Sequence, residues 1–390
     1  MRHLTLTVQI IILAVIIGVL AYAIHRSSYS IAASPTNSSE QVAASTQASA
    51  TSTRTTTTAT ASSTATTTKP VVKKAPIIKQ TSPAAAAPTA STTKPSGEIV
   101  RIENPYSTQP ESFSTINTRA RGALVNIFCS PKGGSLRPIS GSGTIIDSRG
   151  VILTNAHVAQ YVLLSESPRV NLSCFIRTGS PASSKWIPKV LYIPATWVRD
   201  HAADISAEHP LGTGEHDYAL LYITDSTDST PLPATFPAIP VDTREAIGFL
   251  NDQVLAASYP AEFTGASANY DLYPASSVTN IAQLLTFTTK SVDVISVGSV
   301  IEAQSGSSGG SIVNAWGRLI GVITTTSTGA TTADRDLRGI TLSYINRDIA
   351  AQTGSTLLNY LNGDLAAKTA AFTANDAPAL YNLIIDQIAR

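Results

Sequence analysis

Between residues 99 and 350 the chain is cut into short apolar or alternating runs, separated by clusters of Gly, Pro, Asn, Asp and Ser. Examples are "GALVNIFCS", "GSGTIID", "GVILTNAHVA", "RVNLSCFIRT", "KVLYI", "YALLYIT", "DQVLAASYP", "GSIVNAWGRLIGVITTT" and "RGITLSYI". Such spacing leaves no amphipathic helix of the length that a parallel-sheet crossover needs, so the region reads as antiparallel β, a sandwich or a pair of barrels. The texture changes after residue 350. There "TLLNYLNGDLAAKTAAF" and "ALYNLIIDQIA" place apolar residues near helical spacing, interrupted around Asn375, Asp376 and Pro378. One or two C-terminal helices are predicted over 351–390.

The first hundred residues have a different character. Residues 4–24, "LTLTVQIIILAVIIGVLAYAI", carry no charge and match the roughly 20 residues that a helix needs to cross a bilayer. Residues 1–26 are therefore read as an N-terminal transmembrane anchor, with a cleaved signal sequence ending near Ala21-Tyr22-Ala23 as the alternative. Arg2 and Arg26 flank both ends, so the distribution of positive charge does not orient the segment. Residues 27–98 are dominated by Ser, Thr, Ala and Pro, as in "TSTRTTTTATASSTATTTKP". Too little apolar surface is available there to offset chain entropy, which predicts a disordered linker, a stalk spanning roughly 45 Å as a flexible coil. The expected location is the cell membrane, single-pass, with the folded region outside the cytoplasm, or secretion if the leader is removed.

Bulk charge excludes some functions. Net charge is +1 and charged residues make up 14%, below the roughly 25% of an ordinary soluble domain, so no global field points to nucleic acid. Cys129 and Cys174 are the only two cysteines, too few for a disulfide scaffold and wrongly spaced for a zinc site. No metal and no cofactor are expected.

The sharpest local signal is Gly306-Ser307-Ser308-Gly309-Gly310. A glycine turn of this kind brings backbone N–H groups close to a bound carbonyl, and the amides of Gly306 and Ser308 are the candidate oxyanion donors. A serine hydroxyl is a weak nucleophile until a base takes its proton. Of six histidines, His157 in "GVILTNAHVAQ" follows an apolar run able to hold it rigidly, whereas His201, His209 and His216 lie in a polar stretch read as surface loop. The acid that orients such a base belongs where a polar loop enters a buried strand. Asp217 in "HDYALLYI" fits better than Asp204, Asp225 or Asp228. No histidine follows Ser308, which excludes the α/β-hydrolase order Ser…Asp…His. His157, Asp217, Ser308 is the order of the chymotrypsin group.

On these pieces, residues 120–345 resemble the trypsin/chymotrypsin-like serine proteases, especially the bacterial, heat-shock-type (HtrA-like) branch; the matching segments are "GSGTIID", "ILTNAHVA", "DYALLYI", "GSSGG" and "GRLIGVIT". Two departures stand out: Ser311 replaces the usual proline after the glycine pair, and an insertion over 187–215 lengthens the His–Asp interval. The resemblance implies an all-β protease domain over 99–350 built as two six-stranded antiparallel β-barrels with the site in the cleft between them. Residues 351–390 then form a helical extension, too short for the peptide-binding PDZ domain frequent in that branch. It implies a serine endopeptidase acting on protein or peptide substrates through an acyl-enzyme, with His157 as base, Asp217 as orienting acid and Ser308 as nucleophile. Glu302, six positions before Ser308, becomes a specificity-pocket residue, and Thr324, Thr325 and Thr326 become pocket walls. Glu302 at the pocket floor favours Lys or Arg, whereas an outward Glu302 and threonine walls favour a small or aliphatic residue. The resemblance also places Cys129 and Cys174 on strands of one barrel, where a disulfide and two free thiols are both open. The rival readings are a catalytically silent protease-like domain that binds peptides, and a stalked structural protein. Oligomeric state is not legible.

Overall fold

Six of the apolar runs become strands of one closed sheet. They are β1 (Leu124–Pro131), β2 (Ile139–Asp147), β3 (Val151–Thr154), β4 (Leu172–Thr178), β5 (Ser183–Tyr192) and β6 (Ala219–Ser226). All neighbours are antiparallel, in the order β1-β2-β3-β6-β5-β4, and β1 pairs again with β4, so the barrel has no free edge. The computed structural model describes residues 104–389 except 134–135, 207–212, 288–289, 328 and 330. The anchor and linker expected over 1–98 lie outside the described residues. Among the described residues no helix is long and apolar enough to cross a membrane.

The strands of this barrel bury Val125, Ile127, Ile145, Ile152, Leu153, Leu220 and Leu221 in one core, each stabilising by about 1.5–3 kcal/mol relative to exposure. Cys129 and Cys174 stand directly opposite each other in the β1–β4 ladder and are joined as a disulfide.

The second half differs from the expected six-stranded barrel. Strands β7 (Gln253–Ser258), β8 (Ala275–Asn280), β9 (Gln283–Leu285), β10 (Val294–Ser296), β11 (Ser311–Asn314), β12 (Leu319–Thr326) and β13 (Leu337–Thr341) form a seven-stranded sheet, β8-β7-β11-β12-β13-β10-β9. Its ladder does not close. The two edge strands are nevertheless consecutive in the chain, so the sheet curls until Ile281 and Ala282 alone separate them. There the Ile281 N–H donates to Asp252 O and the Ala282 N–H to Ser296 O, one towards each edge. The two edge strands thus run on into each other through a two-residue bend, as at the corners where strands switch sheets.

Short helices also punctuate the stretch that the sequence reads as mostly antiparallel β. They are α1 (Phe113–Ala123), α2 (Ala156–Ser165) and α3 (Ala195–His201). Each is short, and α2 is apolar around most of its surface, burying Val158, Val162, Leu163 and Leu164, so in sequence it reads as a continuation of the β3 run. The C-terminal region holds α4 (Leu342–Thr353), α5 (Leu357–Tyr360), α6 (Leu365–Asn375) and α7 (Ala377–Ile388). Thr341 and Asp364 cap α4 and α6 through their side-chain oxygens, satisfying N–H groups that a helix start leaves unpaired. The last two helices return to the first barrel: α6 packs on β5, and α7 on α2 and α3. Leu380, Ile384 and Ile385 of α7 join the same core.

Candidate active site

His157 is the second residue of α2, directly after buried β3, so the strand fixes where the imidazole begins and the first helical turn fixes its direction. Asp217 lies two residues before β6, and because β3 and β6 pair, the two residues meet at the end of that ladder. His157 Nδ1 is 2.8 Å from Asp217 Oδ2, and the His157 backbone N–H donates to Oδ1 at 2.9 Å. Thr324 Oγ1 donates to Oδ2 at 2.8 Å, and Asn155 Nδ2 donates to the Asp217 carbonyl at 2.8 Å. The carboxylate thus accepts three bonds in a site that is 6% exposed.

Burial alone would favour a neutral Asp217. The His157 charge and the hydrogen bonds from His157 and Thr324 outweigh it and hold the carboxyl below its ordinary range. Burial likewise disfavours the His157 imidazolium, but the charge and hydrogen bond of Asp217 prevail and raise its basicity above the ordinary value of about 6.5. An ionised Asp217 requires the hydrogen on Nδ1, leaving Nε2 as the acceptor.

The Ser308 turn is held from both halves of the molecule. Ser142 of β2 donates through its N–H to Ser308 O at 2.7 Å and through Oγ to Gly306 O at 2.7 Å. Its hydroxyl also accepts from Tyr259 N–H at 2.8 Å, and Ser258 Oγ donates to Ser307 Oγ at 2.9 Å. Gly309 is left-handed at φ 88°, and a Cβ there would stand 1.9 Å from Ser142 O and 2.3 Å from Thr154 Oγ1. Thr154 is the last residue of β3, and its hydroxyl donates to the same Ser142 oxygen at 2.7 Å. The Gly309 N–H reaches Ile323 O at 2.8 Å, beside the Thr324 that holds Asp217. A chain of direct contacts therefore runs from the Ser308 turn through Gly309 and β12 to Asp217 and His157. Gly306, at φ 94°, is the other left-handed position of the turn. Its N–H and that of Ser308 donate to no protein acceptor among the described residues, while Ser308 itself is half-buried.

The remaining candidates are placed differently. Thr324 is buried with its hydroxyl on the Asp217 carboxylate, not turned outward as the expected pocket wall. The side chains of Thr325 and Thr326 lie outside the described residues. Glu302 turns neither to solvent nor into an open pocket floor: it is fully buried, with Oε1 accepting from Ser277 Oγ at 3.1 Å and Oε2 without a partner. Burial raises its pKa, only partly offset by that hydrogen bond. Asp204, the competing acid, is engaged with His201 at 2.8 Å. Ser142, which bonds the Ser308 turn, is absent from the sequence-based candidates, and Thr324 is among them only as a pocket wall, not as a partner of Asp217. The only available signal was the small-residue pattern of "GSGTIID", which permits close approach of another backbone.

Among the described residues no group of three or more metal-ligating side chains gathers. A paired histidine and carboxylate at the end of the first barrel's ladder, and a glycine-rich serine turn bonded to β2 of that barrel, are the structural features on which the comparison with known families bears. Residues 141–322, a span that contains His157, Asp217 and Ser308, match the family described as "Trypsin-like peptidase domain". The chain carries that domain and is a trypsin-like serine endopeptidase. Among solved structures it is similar to "Crystal structure of Deg5", with a TM-score of 0.41 and 17% sequence identity, covering 63% of this chain and 96% of that one. No curated protein matches the sequence.

Proposed function

We propose that peptide bonds are cleaved by a triad of His157, Asp217 and Ser308 through an acyl-enzyme. His157 Nε2 takes the Ser308 hydroxyl proton as Oγ attacks the scissile carbonyl carbon. The resulting oxyanion accepts from the N–H groups of Gly306 and Ser308, a contribution of about 2.7–4 kcal/mol per donor. The C–N bond breaks as His157 returns the proton to the leaving amine, and the acyl group remains on Ser308. Water then attacks with His157 again as base, and the acid product leaves. Asp217 keeps the hydrogen on Nδ1 and stabilises the imidazolium, so that Nε2 faces the chemistry at each stage. The observation that carries the reading is the Asp217 carboxylate held by His157 through two bonds, at 2.8 and 2.9 Å, and by Thr324 through a third. A silent domain has no need of a buried, ionised carboxylate aimed at one histidine.

Fluorophosphonate labelling of the purified chain, followed by peptide mapping, tests the assignment. The expected adduct is on Ser308, with labelling and hydrolysis both lost in Ser308→Ala. Labelling of that variant comparable to wild type would refute the triad.

Protein and peptide substrates follow from the family. A small or aliphatic residue before the scissile bond is the reading favoured here, because a buried Glu302 with a raised pKa offers no exposed anion to Lys or Arg. Membrane attachment through residues 4–24, with the protease domain outside the cytoplasm, is a further part of the proposal. The Cys129–Cys174 disulfide supports it, since such bonds persist in oxidising compartments.

A further inference from the structure

The residue immediately before the triad acid has an unusual backbone. His216 lies in the left-handed region at φ 58°, and Gly214 two residues earlier is left-handed at φ 88°. The chain makes a tight double turn before entering β6, and the Asp217 N–H returns to Gly214 O at 3.2 Å. A left-handed residue other than glycine is uncommon, although His is among the better tolerated. It persists where the surroundings over-determine it.

Those surroundings belong to α4. The His216 N–H donates to Tyr344 Oη at 3.0 Å, and Nδ1 is 2.9 Å from Asp348 Oδ1. Asp348 Oδ2 accepts from Tyr218 Oη at 2.9 Å and from Gln352 Nε2 at 2.7 Å, so the carboxylate is oriented before His216 reaches it. Glu215, beside it in the chain, and Asp200 of α3 add negative potential around the imidazole. The hydrogen bond to Asp348 raises His216 above its ordinary basicity; burial opposes this, and the charges of Asp348, Glu215 and Asp200 reinforce it.

We propose that His216, clasped by Tyr344 and Asp348, is a positioning residue that ties the turn carrying Asp217 to helix α4 and thereby aims the Asp217 carboxylate at His157. The inference rests on reading Asp217 as the acid of the triad. It makes the C-terminal helix part of the catalytic frame. Misplacement by about 1 Å away from the chemistry costs on the order of 100-fold in rate.

The test compares full-length wild type with His216→Gln, Asp348→Asn, Tyr344→Phe and Ser308→Ala on a peptide substrate, with kcat, KM and the acid limb of kcat/KM as readouts. His216→Gln and Asp348→Asn are expected to lower kcat roughly 10- to 100-fold with KM within about twofold, the pattern of a lost transition-state interaction. Their acid limbs are expected at lower pH, because a misaimed Asp217 no longer raises the basicity of His157. Loss of a nearby cation in His216→Gln would by itself raise that basicity, so the downward shift reports aim rather than charge. The double variant should be no slower than the worse single one, as for residues acting as a unit. Unchanged kcat and an unmoved limb in folded His216→Gln and Asp348→Asn, with Ser308→Ala inactive, overturn the clasp and leave the triad standing. Activity retained by Ser308→Ala overturns the triad and the clasp with it. Should His216→Gln lose its cooperative melt, Tyr344→Phe, which removes one hydroxyl, carries the same readouts.

Discussion

A carboxylate and an imidazole in contact are common; what distinguishes Asp217 is that its oxygens are spoken for. Oδ1 accepts the His157 backbone N–H, while Oδ2 takes the imidazole and the Thr324 hydroxyl. With both oxygens constrained, the ring has one orientation that keeps its hydrogen bond. Asp217→Asn preserves the shape but offers an amide N–H where the imidazole N–H must be received, favouring the wrong tautomer. The expected loss in kcat is roughly 10,000-fold, the scale known for that substitution in the serine-protease template, with folding retained. Asp204→Asn is expected to change kcat by less than about threefold, because Asp204 serves His201 in a partly exposed pair of modest worth. Steady-state kinetics of the two variants side by side checks both; a reversal of their effects would move the acid's role to Asp204.

Among the elements, the strands at the mouth of the first barrel do more than shape a core. β3 ends at Thr154 and delivers His157 three residues later, β6 follows Asp217, and β2 supplies Ser142 to the Ser308 turn. Pairing of these three neighbours sets the spacing of the site. β1 and β4 close the barrel on its other side, and there Cys129 and Cys174 stitch the seam across 45 positions of sequence. In the chain-entropy picture a loop of that length contributes about 4 kcal/mol through the unfolded state. The variant with both cysteines changed to Ala is expected to unfold at lower denaturant with its midpoint shifted by that free energy, while keeping measurable hydrolysis in the native range. Equilibrium urea unfolding of wild type under oxidising conditions, wild type under reducing conditions and the double variant checks it. Reduction and mutation should agree, and a midpoint indifferent to both would remove the bond from the account of stability.

For the molecule, the C-terminal helices expected from the sequence are packed into the frame of the protease domain. α4 follows β13 directly and reaches the Asp217 turn, while α6 and α7 cover the first barrel. The catalytic body therefore extends through residue 388, and the N-terminal apolar segment is separated from it by the Ser/Thr-rich tract. If that tract is the proposed stalk, protease treatment of intact cells should release a soluble, fluorophosphonate-reactive fragment beginning between residues 27 and 99. Zymography of the supernatant, with lysed cells as the control, reads it out. A fragment released only after lysis would exclude an extracellular domain.

The sequence by itself determined the class of fold and nominated the chemical groups of the proposed triad. Short runs between turn residues leave few options besides antiparallel β, and a base that must precede the nucleophile eliminates whole architectures once no histidine follows Ser308. These properties are local or ordinal, and local spacing and chain order are written directly in a sequence. Tertiary structure decided what depends on distant partners. Thr324 reaches Asp217 across 107 positions, Ser142 holds a turn 164 positions away, and Glu302 is sealed in the interior against Ser277. The curl that brings the second sheet's edges together turned on a bend of two residues, and α2 on apolar contacts that imitate a strand run. Small polar residues such as Ser and Thr are individually uninformative in sequence; they acquire a role only when burial gives their one hydroxyl a single partner, because an unpaired buried group is costly and a paired one holds its neighbours in place.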